Sequence, residues 1–313
     1  MKKRTRYWFG IVRTAATYWL NADAFIHAAA LAFFTVFSVA PMMIIAVSVV
    51  GTVLGDDAAR GLVAQELQEA IGADAAAAVQ NAVAQSRIER SGIFPTLIGI
   101  VALLFGATTV FAQMQRSLNL IWGVTAKPTR STLFLLLKAR LLSLTIVLAI
   151  GFVLLVSLLL SVLLRSVIAF AQHWLPLPPW IMVGVEMIVS LAVVTVLFAT
   201  IFRVLPDVIL RWKDVLLGAL VTALLFTAGR SLIAIYLAYE ATASAYGAAG
   251  SLVLLLLWVN YSSLILLFGA AFTRAHREAL GAAIRPRNTA VCVHTELVEE
   301  PDPDPRPRPP RRW

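Results

Sequence analysis

The sequence predicts an all-α integral membrane protein, a bundle of six transmembrane helices, from two independent observations. Six stretches are apolar and long enough to cross a bilayer, and the basic residues between them fall on alternate sides. Composition agrees: 60% hydrophobic residues, 14% charged and a mean hydropathy of +0.83 leave too little polar surface to solvate a globule of 313 residues.

The spans are expected at residues 24–55, 91–115, 141–164, 180–202, 215–239 and 246–273, together forming a membrane domain over 24–280. Ala24 to Gly55 is the clearest, because it holds no Asp, Glu, Lys or Arg, whereas a crossing helix needs only about 20 mainly apolar residues. Residues 1–23 form a basic N-terminal segment. The apolar run that follows Arg13 outlasts a signal-peptide core, so the first span is expected to remain as an anchor.

Lys and Arg counts orient the spans. The N-terminal segment (Lys2, Lys3, Arg4, Arg6, Arg13), the second connection (Arg116, Lys127, Arg130, Lys138, Arg140), the fourth (Arg203, Arg211, Lys213) and the C-terminal segment carry twenty-one of the 26. The other side carries only Arg60, Arg87, Arg90 and Arg165. Basic residues are retained on the cytoplasmic side during insertion, which predicts cytoplasmic termini and an even number of spans. The same placement accounts for the formal charge of +9 without nucleic acid as a partner. Membrane lipids are the partners it implies.

The first external connection is Ala-rich and acidic. Leu62, Val63, Leu67, Ala70 and Ile71 share one helical face, so residues 57–89 are expected to form amphipathic helices on the outer surface. A second amphipathic stretch, Gln113 to Trp122, continues inward from the second span, with its Trp at headgroup level. From residue 286 to 313 the chain becomes rich in Pro and Arg. Prolines at alternate positions block helix and sheet, predicting a disordered, partly polyproline-like tail.

Ionisable groups inside hydrocarbon are costly and mark partners or water-filled cavities. Glu186 in the fourth span and Arg230 in the fifth are the two strong candidates. Counted from the outer ends of their helices they lie at similar depth, about 9 and about 12 Å down, and their opposite signs predict an ion pair. Asn260 and Tyr261 add a hydrogen-bonding patch to the last span. Pro41 is a candidate kink in the first span, and Gly247 and Gly250 are candidate points of close helix approach in the last.

Enzyme signatures are missing. His27, His173, His276 and His294 have no metal-ligand spacing, and there is no phosphate-binding glycine loop, nucleophile elbow or paired catalytic carboxylate. A single cysteine, Cys292, excludes an internal disulfide. No cofactor, metal or enzymatic activity is therefore expected.

Several segments resemble the YihY family of bacterial inner-membrane proteins, also called the virulence factor BrkB family, over roughly residues 15–280. They are His27 to Pro41 (HAAALAFFTVFSVAP), Ser117 to Trp122 (SLNLIW), Leu205 to Asp207 with Trp212 to Ala219, Gly229 to Tyr236 (GRSLIAIY) and Tyr246 to Ala270. The resemblance implies six membrane helices, an envelope role and translocation of lipid or another envelope component as an unproved activity. Many relatives carry acids where this chain has Thr227 and Ala271, so any cation-binding role of those acids does not carry over.

Two functional readings follow. The leading one is a transporter or lipid-handling permease whose cavity is lined by Arg230, Glu186, Asn260 and Tyr261, with a lipid or small molecule as substrate. The alternative is a non-transporting envelope scaffold in which those residues only hold helices together. A membrane-embedded hydrolase ranks third.

Overall fold

The computed structural model describes residues 2–38, 109–127, 179–239 and 250–293, together with residues 55, 61, 64, 65, 68, 76, 77 and 80. Its elements are helices α1 (Lys2–Asn21), α2 (24–38), α3 (109–122), α4 (Pro179–Val204), α5 (Trp212–Tyr239) and α6 (Gly250–Ala279), with strands β1 (Val124–Ala126) and β2 (Ala290–Cys292). Among the described residues, three helical segments are long and apolar enough to cross a membrane: Met187–Val204, Trp212–Ser231 and Val253–Ala279. α1 and α2 make a fourth if that bent pair counts as one span.

The expected spans at 91–115 and 141–164 lie mostly or wholly outside the described residues, as do Pro41 and Gly247. So do Leu62, Val63, Leu67 and Ile71 of the outer connection, although residues 61, 64, 65, 68, 76, 77 and 80 around them are helical.

Local chemistry sets each helix end. α1 stops where Asp23 turns left-handed (φ 47°), a conformation that a short polar side chain tolerates better than most. The Asp23 carbonyl then accepts from the backbone N–H groups of Ile26 (2.9 Å) and His27 (3.1 Å), starting α2 at 62° to α1. α4 opens on Pro179, which needs no hydrogen-bond partner in a first turn. α5 is capped by Asp214, whose carboxylate accepts from the Arg211 backbone N–H at 3.0 Å. α6 closes on Gly281 at φ 72°, the left-handed stop that glycine adopts without strain.

α4 packs on α5, α5 on α6, and α1 against α6. The core lies at one end of this bundle, around Leu118, Ile121, Trp122, Phe198, Phe202, Leu205, Val208, Val215 and Leu267. That end gathers α1, the end of α3, the α4–α5 turn and the end of α6, and so brings together basic residues from four separate parts of the sequence.

One expectation is corrected here. Residues 286–293 are ordered against the bundle instead of beginning the tail. Pro286 bridges Val208, the Arg287 backbone N–H donates to the Asp207 carbonyl at 2.9 Å, and β2 pairs antiparallel with β1, Ala126 opposite Ala290. The proline-dense sequence that blocks regular structure starts only at Pro301; before it stand Val291 and Val293, which suit a strand. Residues 294–313 lie outside the described part.

Candidate functional site

Arg230 stands on α5, and Asn260 and Tyr261 on α6, two helices that run antiparallel. Three glycines set their separation. A Cβ at Gly218 would overlap the Thr273 hydroxyl, one at Gly269 the Thr222 hydroxyl, and one at Gly229 the Tyr261 hydroxyl. The pairs follow one antiparallel register, each step along α5 matched by a step back along α6. Thr222 and Thr273 each donate to the carbonyl four residues earlier, Gly218 and Gly269, at 2.7 Å. Their hydroxyls are thereby satisfied inside their own helices, and the small surfaces remain free to pack.

Tyr261 thus rests its hydroxyl against the backbone of α5 at Gly229, beside the half-buried Asn260. The next residue, Ser262, has a buried hydroxyl with no hydrogen-bond partner among the described residues. Arg230 sits on the exposed side of α5. Glu186 lies on α4, but its side chain is outside the described part, so its pairing with Arg230 is too. Gly250 is the first residue of α6.

The basic end contains a second polar constellation, most of which the sequence did not single out as functional. Asn119 of α3 is buried and clasps Asp207 in the α4–α5 turn. Its amide nitrogen donates to the carboxylate at 2.8 Å, while its carbonyl oxygen accepts from the Asp207 backbone N–H, also at 2.8 Å. Gln115 adds a second bond to the same carboxylate at 3.2 Å. On the neighbouring face of α3, Ser117 Oγ lies 3.1 Å from His27 Nδ1, joining α2 to α3.

Arg274 ties three elements together. It donates to the Ile121 carbonyl near the end of α3 at 2.6 Å, pairs with Glu278 at 2.9 Å, and stacks 4.0 Å over the Tyr18 ring of α1. Tyr18 in turn donates to Glu278. Gly123, at φ 64°, leaves room for the Arg274 guanidinium beside it. Arg277 is buried one turn further on, donating to the Ile209 and Ala283 carbonyls at 3.2 and 3.1 Å, with Asp214 at 3.9 Å. Arg287 reaches the last carbonyls of α4, Arg203 and Val204, each at 3.3 Å, where a cation is favoured by the helix dipole.

Chemically these groups are donors and acceptors that answer one another, apart from the buried Arg277 Nε, which has no partner among the described residues. Among the described residues no group of three or more His, Cys, Asp or Glu side chains could hold a metal ion. The contacts join segments far apart in sequence: His27 meets Ser117, Asn119 meets Asp207, and Gly229 meets Tyr261. The one signal available for the clasp was a polar pair, Ser117 and Asn119, within an otherwise apolar turn.

Comparison with known proteins places the same segments in one family. The family model described as virulence factor BrkB matches residues 15–291. A UPF0761 membrane protein of Psychromonas ingrahamii is 29% identical over 196 residues, covering 59% of this chain and 60% of that protein. One from Xanthomonas oryzae pv. oryzae is 27% identical over 260 residues, covering 80% and 57%. One from Tolumonas auensis is 38% identical over a shorter stretch of 74 residues, covering 23% and 24%. The chain therefore spans under two thirds of the length of these relatives. No solved structure matches it.

Proposed function

Because the chain belongs to the virulence factor BrkB family of membrane proteins, we propose that it is a six-span inner-membrane permease that moves a lipid or another amphipathic envelope component past a polar patch between α5 and α6. The patch is centred on Tyr261, which meets Gly229 of α5, with Asn260 and Ser262 flanking it on α6. The observation that carries this reading is the Ser262 hydroxyl, buried in an apolar helix without a partner among the described residues. Such a group costs free energy in hydrocarbon, and a ligand hydroxyl, amide or phosphate would offset that cost. Arg230 and Glu186 supply charge at the outer half of the same bundle.

In this reading the basic end faces the cytoplasm, as retention of Lys and Arg during insertion requires. Support comes from the convergence of α1, the α4–α5 turn and the end of α6 at that end. Reporter fusions after residues 75, 130, 173, 209, 242 and 290 should alternate, beginning outside; an external signal from the last would remove the topology.

The alternative, a non-transporting envelope scaffold, draws on a different observation. Most span hydroxyls bond within their own helices, as Thr195, Thr200, Thr222, Thr227 and Thr273 do, which serves packing and leaves nothing for a ligand. Proteoliposomes containing headgroup-labelled lipids and a panel of amphipathic solutes separate the two. The permease reading expects protein-dependent translocation, reduced in Tyr261→Phe and Asn260→Ala at unchanged thermal stability. A folded protein that moves none of them supports the scaffold.

A further inference from the structure

α1 carries two opposed faces. One is buried on α6 through Ile11 and Ala15, with Trp8 stacked on His276. The other turns away from the protein and bears Phe9, Val12 and Leu20, of which Phe9 is 68% and Leu20 56% exposed. At positions i, i+3 and i+11 these three form a single stripe. Arg6 and Arg13, both exposed, stand on the same side of the helix, and α1 contains no acidic residue.

The apolar stripe does not end with the helix. Beyond the bend at Asp23 it continues into α2 as Phe25, Ile26, Phe33 and Phe37, all exposed. With α2 entering the bilayer, the 62° bend lays α1 closer to the membrane plane than to its normal. A soluble protein partner covering α1 would have to follow this surface into hydrocarbon. A lipid leaflet covers both parts without a break.

We propose that α1 is an interfacial helix that binds the surface of an anionic lipid leaflet, with Phe9, Val12 and Leu20 below the headgroups and Arg6 and Arg13 at the phosphates. Apolar burial supplies depth and the two guanidinium groups supply preference for negative charge. Gly10 and Thr14 beside Arg6 line an open groove of about 350 Å³ between α1 and the end of α6, bordered by Tyr7 and Glu278. The groove offers room for a headgroup next to Arg6. The inference holds whether or not the protein transports anything, and its test does not read transport.

The test uses the full chain. Cys292 is the single cysteine and is exposed, so a Cys292→Ser background allows a spin label at Phe9→Cys and, separately, at Leu20→Cys. In proteoliposomes both labels should be relaxed by membrane-soluble oxygen and shielded from a water-soluble nickel complex. In detergent, phosphatidylglycerol should raise Tm above the value with phosphatidylcholine. That shift should be lost in Arg6→Gln/Arg13→Gln and kept in Arg6→Lys/Arg13→Lys. Nickel access equal to that of a water-exposed site, or an equal response to the two lipids in the parent protein, would overturn the proposal. A phosphatidylglycerol shift that survives the glutamine pair would do the same.

Discussion

Thr273 of α6 fills the space that a side chain at Gly218 of α5 would need, and four residues along α5, Thr222 fills the space at Gly269 in return. The two helices therefore approach through a reciprocal pair of glycines, each covered by a threonine whose hydroxyl is already bonded at 2.7 Å within its own helix. Between membrane helices the driving force is packing and not the exclusion of water, so this close fit is the main source of α5–α6 affinity.

Gly269→Ala should accordingly destabilise the bundle by about 1–3 kcal/mol, the usual range for overpacking. Thr222→Ala removes the hydroxyl that the new methyl would strike and should restore part of the loss. Thermal unfolding in detergent reads both. Gly269→Ala with the parent Tm would show that the helices separate freely at this point.

The Asn119–Asp207 clasp has a different physical basis. Asn119 is buried and makes two bonds of 2.8 Å to one residue, to its carboxylate and from its backbone N–H. Asn119→Ala leaves the Asp207 backbone N–H without its acceptor and the carboxylate with only the 3.2 Å bond from Gln115, and should cost about 1–3 kcal/mol. Asn119→Asp, of nearly the same size, should cost more, because it sets one carboxylate against another and keeps no amide donor. Combining Asn119→Ala with Asp207→Ala should cost less than the sum of the single changes. Strict additivity in Tm would mean that the two residues act separately.

These two contacts mark where the sequence stops being readable. That the protein is helical and membrane-embedded follows from stretches such as Met187–Val204, whose apolar run carries a single charge, Arg203, at its very end. Which helix touches which is not encoded so locally. The contacts of Gly247 and Gly250, the close approaches the sequence points to, lie outside the described part, while the approaches at Gly218, Gly229 and Gly269 fall at glycines that carry no mark by themselves. A signal existed in the repeated spacing of Gly218 with Thr222 and Gly269 with Thr273, but its meaning depends on two distant segments facing each other. Asn119 was similarly ambiguous: on a lone helix it reads as a headgroup-level polar residue, and only the α4–α5 turn converts it into a buried partner of Asp207. The ordering of residues 286–293 depends on the same turn, since Val208 and Asp207 supply the backbone groups that Pro286 and Arg287 meet.

Glu186 and Arg230 stand on α4 and α5, helices that pack against each other. Glu186 is the eighth residue of α4 and Arg230 is nine residues before the end of α5, which puts them about 11 and about 13 Å from the ends that lie away from the basic face. Opposite charges at matching depth in adjacent helices are expected to pair, because leaving one uncompensated costs several kcal/mol in a dry site and less where water or headgroups reach it. Glu186→Gln and Arg230→Met should each lower Tm, and exchanging the charges, Glu186→Arg with Arg230→Glu, should recover part of the loss. The exposure of Arg230 sets the scale: a pair open to headgroups should show a small coupling that shrinks as salt is added, whereas a pair lining a polar cavity should keep its coupling at high salt. Additive losses with no recovery on exchange would establish that each side chain reaches the outer headgroups by itself, and would confine the proposed polar lining to Asn260, Tyr261 and Ser262.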